Sequence, residues 1–137
     1  MIARFYPDHS TESIIKSTSN QTESWSLKRE KDSLVFTVQH KTLKFTTIVK
    51  LKTGVWNQYA FSFNGKSLKA YVNGQLVETS FGEPQEISSP ESSESAIVLG
   101  NPGSYIKTDY DDIGIWHKAL STERIEKIYQ KILGMLY

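Results

Sequence analysis

The alternation of apolar and polar residues along the chain predicts a protein built mostly of β-strands. In residues 34–38, and again in residues 43–51, every second side chain is apolar or a threonine. Side chains of a strand point alternately to opposite faces, so this pattern indicates two strands with one buried and one wet face. His40 and Lys41 lie between the two runs, where a hairpin would turn.

Two Asn-Gly pairs predict a second group of antiparallel strands. Asn64-Gly65 and Asn73-Gly74 separate apolar runs at residues 55–63, 68–72 and 75–78. Asn-Gly is favoured in tight hairpins because both central residues of a type I′ turn need a positive φ. We therefore expect a three-stranded meander here. Shorter apolar clusters at residues 2–6, 14–15, 25–27 and 97–100 predict further strands, and the polar residues 80–95 predict a long loop.

The C-terminal third combines an acidic pair, a short strand and a helix. Asp111-Asp112 precedes the apolar residues 113–116, which we interpret as the closing strand. Ser121 or Thr122 is suited to cap a following helix. Apolar residues then recur at helical spacing, which predicts a helix over residues 120–136 with one apolar stripe. The stripe consists of Ile125, Ile128, Tyr129, Ile132, Leu133 and Leu136.

Two of these stretches, in this order, resemble sequence motifs of a known superfamily. Residues 105–129, YIKTDYDDIGIWHKALSTERIEKIY, resemble the closing motif of laminin G-like and pentraxin-like domains of the concanavalin A-like lectin/glucanase class. Residues 54–77 resemble the W-x-H-V-A…D-G…Y-V-N-G motif in the middle of the same domains. The resemblance implies an all-β fold, a two-sheet antiparallel jelly-roll sandwich with a C-terminal α-helix. It also implies that residues 1–137 form a single domain.

The sequence departs from the resembled family at its opening strands. Their F-x-G signature is absent, so the neighbour of the closing strand is unaccounted for. Three arrangements are open: the helix covers the gap, another chain pairs there to give a homodimer through the closing-strand edge, or residues 2–6 take the vacant place. We favour the helix as the cover.

Composition excludes several classes of function. Sixteen basic and 15 acidic residues among 137 leave a net charge of +1, so no strongly basic face for nucleic acid is expected. No apolar run approaches the roughly 18 residues that span a bilayer, and the N-terminus has no signal-peptide core. Cysteine is absent, which excludes disulfides and a cysteine nucleophile. The resemblance favours an extracellular or cell-surface location, with any export signal lying outside this chain.

Catalysis is not expected from the available acids and histidines. A retaining glycosidase needs two carboxylates about 5 Å apart, and the E-x-D-x-x-E run of related glucanases does not occur. Glu30 and Asp32 come nearest, but a predicted turn with solvated charges explains them. No G-x-S-x-G element supports a hydrolytic serine. We predict that the protein is not an enzyme.

Candidate binding residues cluster before the closing strand. Asp111 and Asp112 are the metal candidates, because calcium binds carboxylate and carbonyl oxygens; the alternative is a structural role in which an aspartate caps a turn. Tyr105 and Tyr110 flank the preceding turn and are suited to stack on sugar rings, with Asn101 beside them. Trp56 and Trp116 occupy core positions of the resembled family, so packing is expected for both, and Trp25 is left undecided between the two roles.

A set of lysines suggests a basic surface. Lys44, Lys50 and Lys52 share a strand face, and Lys66 and Lys69 are candidates to extend it. Such a patch would suit an anionic glycan, although lysines also keep a wet sheet face soluble. Taken together, these features predict a non-catalytic recognition module for carbohydrate or a surface protein. The alternatives are a structural, self-associating jelly roll and, third, a glycan-degrading domain.

Overall fold

The computed structural model of the chain describes residues 1–7, 11–18, 23–84, 96–100, 108–116 and 118–136. These residues form two antiparallel sheets and a C-terminal helix, which confirms the predicted jelly-roll sandwich. The five-stranded sheet has the order β11-β1-β6-β7-β8, and the six-stranded sheet the order β10-β2-β3-β4-β5-β9. The elements are β1 (Ile2–Phe5), β2 (Thr11–Thr18), β3 (Glu23–Glu30), β4 (Ser33–His40), β5 (Leu43–Lys50), β6 (Trp56–Phe63), β7 (Ser67–Val72), β8 (Gln75–Phe81), β9 (Glu83–Pro84), β10 (Ala96–Leu99), β11 (Thr108–Asp111) and α1 (Thr122–Leu136).

The predicted hairpin of β4 and β5 is present, and β5 has the predicted alternation, whereas β4 buries Val35 in addition to Leu34 and Val38. Phe45, Thr47 and Val49 are buried, whereas the residues between them are exposed. The turn is made at Lys41, whose φ is 55°. A sequence pattern of period two was sufficient to predict this strand, because one face of the sheet contacts the core and the other contacts solvent.

The two Asn-Gly turns differ in geometry. Asn73 and Gly74 have φ values of 51° and 78°, as the predicted two-residue type I′ turn between β7 and β8 requires. Between β6 and β7 the connection has three residues instead, and only Gly65 has a positive φ. The side-chain oxygen of Asn64 accepts hydrogen bonds from the backbone N–H groups of Lys66 and Ser67, both at 2.9 Å, and closes that turn.

The core lies between the two sheets and is rich in aromatic rings. Phe5 and Tyr59 meet edge to face with ring centroids 5.9 Å apart. Trp25 stacks on Phe36 at 6.0 Å, and Phe36 stacks on Phe61 at 4.6 Å. The role of Trp25, left open by the sequence, is therefore packing between the sheets.

Helix α1 packs on the outer face of the five-stranded sheet. The Ser121 hydroxyl accepts the backbone N–H of Arg124 at 3.2 Å and caps the helix. Ile125, which is 4% exposed, is the buried member of the described stripe. Tyr71 points away from the core and is nevertheless buried, with its hydroxyl 2.9 Å from the Thr122 hydroxyl. The helix thus covers β7 and the β7–β8 turn.

The closing strand and its neighbour differ from the prediction. The strand is β11, at Thr108–Asp111, whereas residues 113–116 are exposed and pair with no strand in the described ranges. Strand β1 lies between β11 and β6, so residues 2–6 take the vacant place and the favoured helix cover is wrong. The ladder ends where Asp111 pairs with Ile2 and Asp112 turns away with a φ of 44°. No strand pairing follows Asp111 among the described residues.

Candidate functional site

The predicted ligand and metal residues do not converge on one site. Tyr110 pairs with the core residue Ala3 and therefore lies on the inner side of β11, whereas the next residue, Asp111, lies on the outer side. Asp112 follows the strand and is exposed. Tyr105 and Asn101 lie outside the described residues.

Tyr110 lines a small apolar cavity at the open edge of the sandwich. The cavity has a volume of about 240 Å³. Burial is the main cause that raises the pKa of the Tyr110 phenol; Glu12 adds to the rise, while the nearby Thr108 and the charge of Arg29 oppose it. A phenol in these surroundings stays neutral near pH 7. The lining residues are Ile14, Leu99, Gly100, Tyr110 and Ile113.

Asp111 and Asp112, the predicted calcium ligands, are two neighbouring carboxylates at the end of β11. Calcium takes six to eight oxygen ligands, and these two neighbouring carboxylates are directed differently by the end of the strand. Within the described ranges, no group of three or more His, Cys, Asp or Glu side chains is placed to hold a metal ion. A calcium site at this pair would need backbone carbonyl or other oxygens and stays a prediction.

An exposed cluster on the outer face of the five-stranded sheet was not predicted. We call Arg4, Tyr6, Trp56 and Asp109 the Arg4 cluster. Arg4 pairs with Asp109 on one side and with Trp56 on the other in the β11-β1-β6 register. Because the flanking residues Ala3 and Phe5 are fully buried, Arg4 and its two partners point outward.

Hydrogen bonds hold the Arg4 cluster in one geometry. The Nη2 and Nε groups of Arg4 donate to Oδ2 of Asp109 at 2.7 and 3.1 Å, and the Tyr6 hydroxyl donates to the same oxygen. The Arg4 guanidinium carbon lies 5.0 Å from the Trp56 ring centroid and 5.5 Å from that of Tyr6, both within cation–π range. The guanidinium of the charged pair thus lies within cation–π distance of two aromatic rings.

The electrostatics of the Arg4 cluster suit binding rather than proton transfer. The bond from Tyr6 and then the bonds from Arg4 lower the pKa of Asp109. The bond to Asp109 raises the pKa of both Tyr6 and Arg4. All three groups consequently keep their ordinary charge near pH 7, and a general acid or base would need a pKa close to the working pH.

Trp56 is exposed, contrary to the expectation of core packing. It is 44% exposed, and Trp116 is 54% exposed with its ring folded over Gly114. The sequence did contain a signal for Trp56. It is three positions from Tyr59, whose face also carries Phe61 and Phe63, so strand alternation places it on the opposite face.

The lysines divide between the two sheets. Lys44 and Lys50 lie on the outer face of the six-stranded sheet, where β2 and β3 add Lys16 and Lys28. Lys69 lies on the outer face of the five-stranded sheet, opposite Ser62. The prediction of a single basic patch that extends to Lys69 is therefore wrong, because Lys69 belongs to a different sheet from Lys44 and Lys50.

The fold places the chain among lectin-like jelly-roll sandwiches, with the Arg4 cluster on one outer face. A family model, Laminin_G_3 of the concanavalin A-like lectin/glucanases superfamily, matches residues 2–126. The chain belongs to this family, as its two motifs indicated. No curated protein matches the chain.

Solved structures with the same fold include toxin binding domains. The binding domain of botulinum neurotoxin serotype D superposes with a TM-score of 0.66 at 14% identity. A structure of botulinum neurotoxin type C, whose cell entry is described as dependent on interaction with two ganglioside molecules, superposes with a TM-score of 0.61 at 18% identity. The binding domain of botulinum neurotoxin DC in complex with rat synaptotagmin II gives 0.61 at 16% identity. In each case the match covers 96% of this chain and 35% of the other, and at these identities it shows the shared fold alone.

No helix in the described part of the chain is both long and apolar enough to cross a membrane.

Proposed function

We propose that the domain is a non-catalytic recognition module of an extracellular or cell-surface protein, and that it binds carbohydrate through the Arg4 cluster. The observation that carries this proposal is the exposed Trp56 ring beside the outward-facing Arg4–Asp109 pair. A surface protein is the other ligand class compatible with the fold.

The Arg4 cluster has the chemistry that a sugar ring requires. An aromatic side chain supplies a large apolar area at low entropic cost, and its π face accepts the C–H groups of a pyranose. The three bonds to Asp109 all use Oδ2, and none uses Nη1 of Arg4. Oδ1 of Asp109 and Nη1 of Arg4 are thus an acceptor and a donor for neighbouring sugar hydroxyls.

The cluster is also preorganised for binding. Arg4 is held by Asp109 and by two rings, while its side chain remains 36% exposed and that of Asp109 43% exposed. A ligand would therefore meet side chains that have already lost rotational freedom, which reduces the entropic cost of association. Toxin domains of this fold that interact with gangliosides and with synaptotagmin are consistent with a binding role.

A glycan array, run with calcium and with a chelator, tests the proposal. The parent domain should bind at least one glycan, and Trp56→Ala should lower the affinity for it about tenfold or more, as expected for a central aromatic contact. Trp116→Ala is the matched control, since it removes an equally exposed tryptophan outside the Arg4 cluster and should bind like the parent. The arm with the chelator reports whether glycan binding depends on calcium, as a calcium site at Asp111 and Asp112 would predict.

Two results would contradict the proposal. Absence of binding to any glycan by the folded parent would exclude a carbohydrate ligand and leave the surface-protein class. An equal loss of glycan affinity in Trp56→Ala and Trp116→Ala would place the binding site outside the Arg4 cluster. Circular dichroism of each variant shows whether it has the parent fold.

A further inference from the structure

The outer face of the six-stranded sheet contains a groove that the proposed function does not use. We call it the lysine groove; it crosses β2 to β5 on the side of the molecule opposite the Arg4 cluster. Its volume is about 250 Å³, and polar atoms contribute much of its surface. The lining residues are Lys16, Ser17, Ser24, Trp25, Ser26, Thr37, Gln39 and Lys44.

Strand register places a cation at each end of the lysine groove. Lys16 pairs with Ser26, and Ser26 pairs with Thr37 on the next strand. In the adjacent row Gln39 pairs with Lys44. Neighbouring strands are about 4.8 Å apart, so the backbones of β2 and β5 are separated by about 14 Å. Between the two lysines lie hydroxyl groups and one amide, which donate and accept hydrogen bonds.

The two lysines at the ends of the groove differ from Lys28, another lysine of this face. Lys28 forms a salt bridge with Glu30 at 2.7 Å, so its charge is already compensated. The described part of the chain gives neither Lys16 nor Lys44 such a bridge. Glu83 pairs with Lys44 in the β5–β9 register but makes no ion pair with it. Among the described residues, the groove therefore has two ammonium groups without a salt-bridge partner and neutral polar side chains between them.

We propose that the lysine groove is a second binding site and that its ligand is a short oligosaccharide with sulfate or carboxylate groups. Two lysines on strands about 14 Å apart fit a ligand whose anionic groups are spaced along an extended chain. The hydroxyl groups and the amide between them fit sugar hydroxyls. Single-stranded nucleic acid is usually bound with aromatic side chains that stack on its bases, and Trp25 stacks inward on Phe36 instead.

A heparin hexasaccharide is the probe that tests this site. The double variant Lys16→Ala/Lys44→Ala should bind it at least tenfold more weakly than the parent, with a shallower dependence of affinity on salt concentration. The matched control is Lys66→Ala/Lys69→Ala, which removes the same charge from outside the groove and should change the affinity less than twofold. A desulfated, N-acetylated hexasaccharide should bind far more weakly than the sulfated one. Titration calorimetry provides these affinities.

A second readout tests position independently of charge. The backbone amide chemical shifts of the lining residues Ser24, Ser26 and Gln39 should change when the sulfated hexasaccharide binds, whereas that of Lys69, on the other sheet, should not. Equal weakening by both lysine double variants, or unchanged shifts at the lining residues on binding, would overturn the proposal, because either would place the binding outside the groove. Binding to phosphatidylserine vesicles without binding to the hexasaccharide would also overturn it and identify a lipid surface. A loss of glycan binding in Trp56→Ala alone would bear on the Arg4 cluster and not on the lysine groove, so the two proposals can fail separately.

Discussion

The contact between the β7–β8 turn and helix α1 can be measured with one glycine substitution and a control of the same kind. Gly74 has a φ of 78°, and a Cβ atom built there would lie 3.0 Å from Cδ1 and 3.2 Å from Cβ of Tyr129. Gly65 has a φ of 89° and nothing within 4 Å of such an atom. The two sites therefore share the backbone requirement and differ in the steric one.

The expected magnitudes follow from these two terms. A non-glycine residue in the left-handed region costs about 1–2 kcal/mol, so Gly65→Ala should lower the free energy of unfolding by that amount. Gly74→Ala carries the same cost and must also displace the Tyr129 ring, an overpacking term of about 1–3 kcal/mol. We expect a difference of at least about 1 kcal/mol between the variants, which a domain of ordinary stability would show clearly.

Urea denaturation, followed by far-ultraviolet circular dichroism, is the assay. In a Tyr129→Ala background the excess cost of Gly74→Ala should become smaller, because alanine removes the ring atom at 3.0 Å but keeps the Cβ atom at 3.2 Å. If both glycine variants lose the same free energy, or if the excess is undiminished without the Tyr129 ring, then the helix does not contact the turn as described and the reasoning fails.

Two further predictions concern the helix and the Arg4 cluster. Ile125→Asp should lower the free energy of unfolding by at least about 3 kcal/mol, because it places a charge at a buried apolar position. Ile128→Asp should cost less, since Ile128 is only half-buried. Thermal melts of both variants check this order, and equal losses of stability would contradict it. The pKa of Asp109 is lowered in the folded state, so its bonds stabilise the fold above the ordinary carboxyl pKa and are lost as the pH falls through the lowered value. Asp109→Asn should therefore weaken the acid dependence of stability between pH 5 and pH 2, as measured by unfolding at each pH, and an unchanged acid profile would show that the Arg4–Asp109 bonds do not contribute in solution.

Local patterns predicted those elements that neighbours along the chain determine. The β4–β5 hairpin, the Asn73-Gly74 turn and helix α1 were confirmed, since alternation, positive-φ residues and 3.6-residue spacing act over a few residues. The fold class was confirmed as well, through two motifs in the expected order. These features depend little on which strands become neighbours in space.

The candidate site depended on pairing between distant segments. The Arg4 cluster joins residues from β1, β6 and β11 that are up to 105 positions apart, and no local pattern brings such residues together. Trp56 illustrates the difference: its side of the strand could be derived from alternation, but its exposure depended on helix α1 covering β7 and leaving this end of the sheet open.

The sequence by itself determined that the chain forms an antiparallel sandwich with a capped C-terminal helix. Only the tertiary structure decided which segment lies beside the closing strand, because the competing arrangements satisfy the same local hydrogen-bonding and hydrophobic demands. By pairing with both β11 and β6, β1 aligned Arg4 between Asp109 and Trp56. The choice of strand neighbour therefore also created the surface on which the proposed function depends.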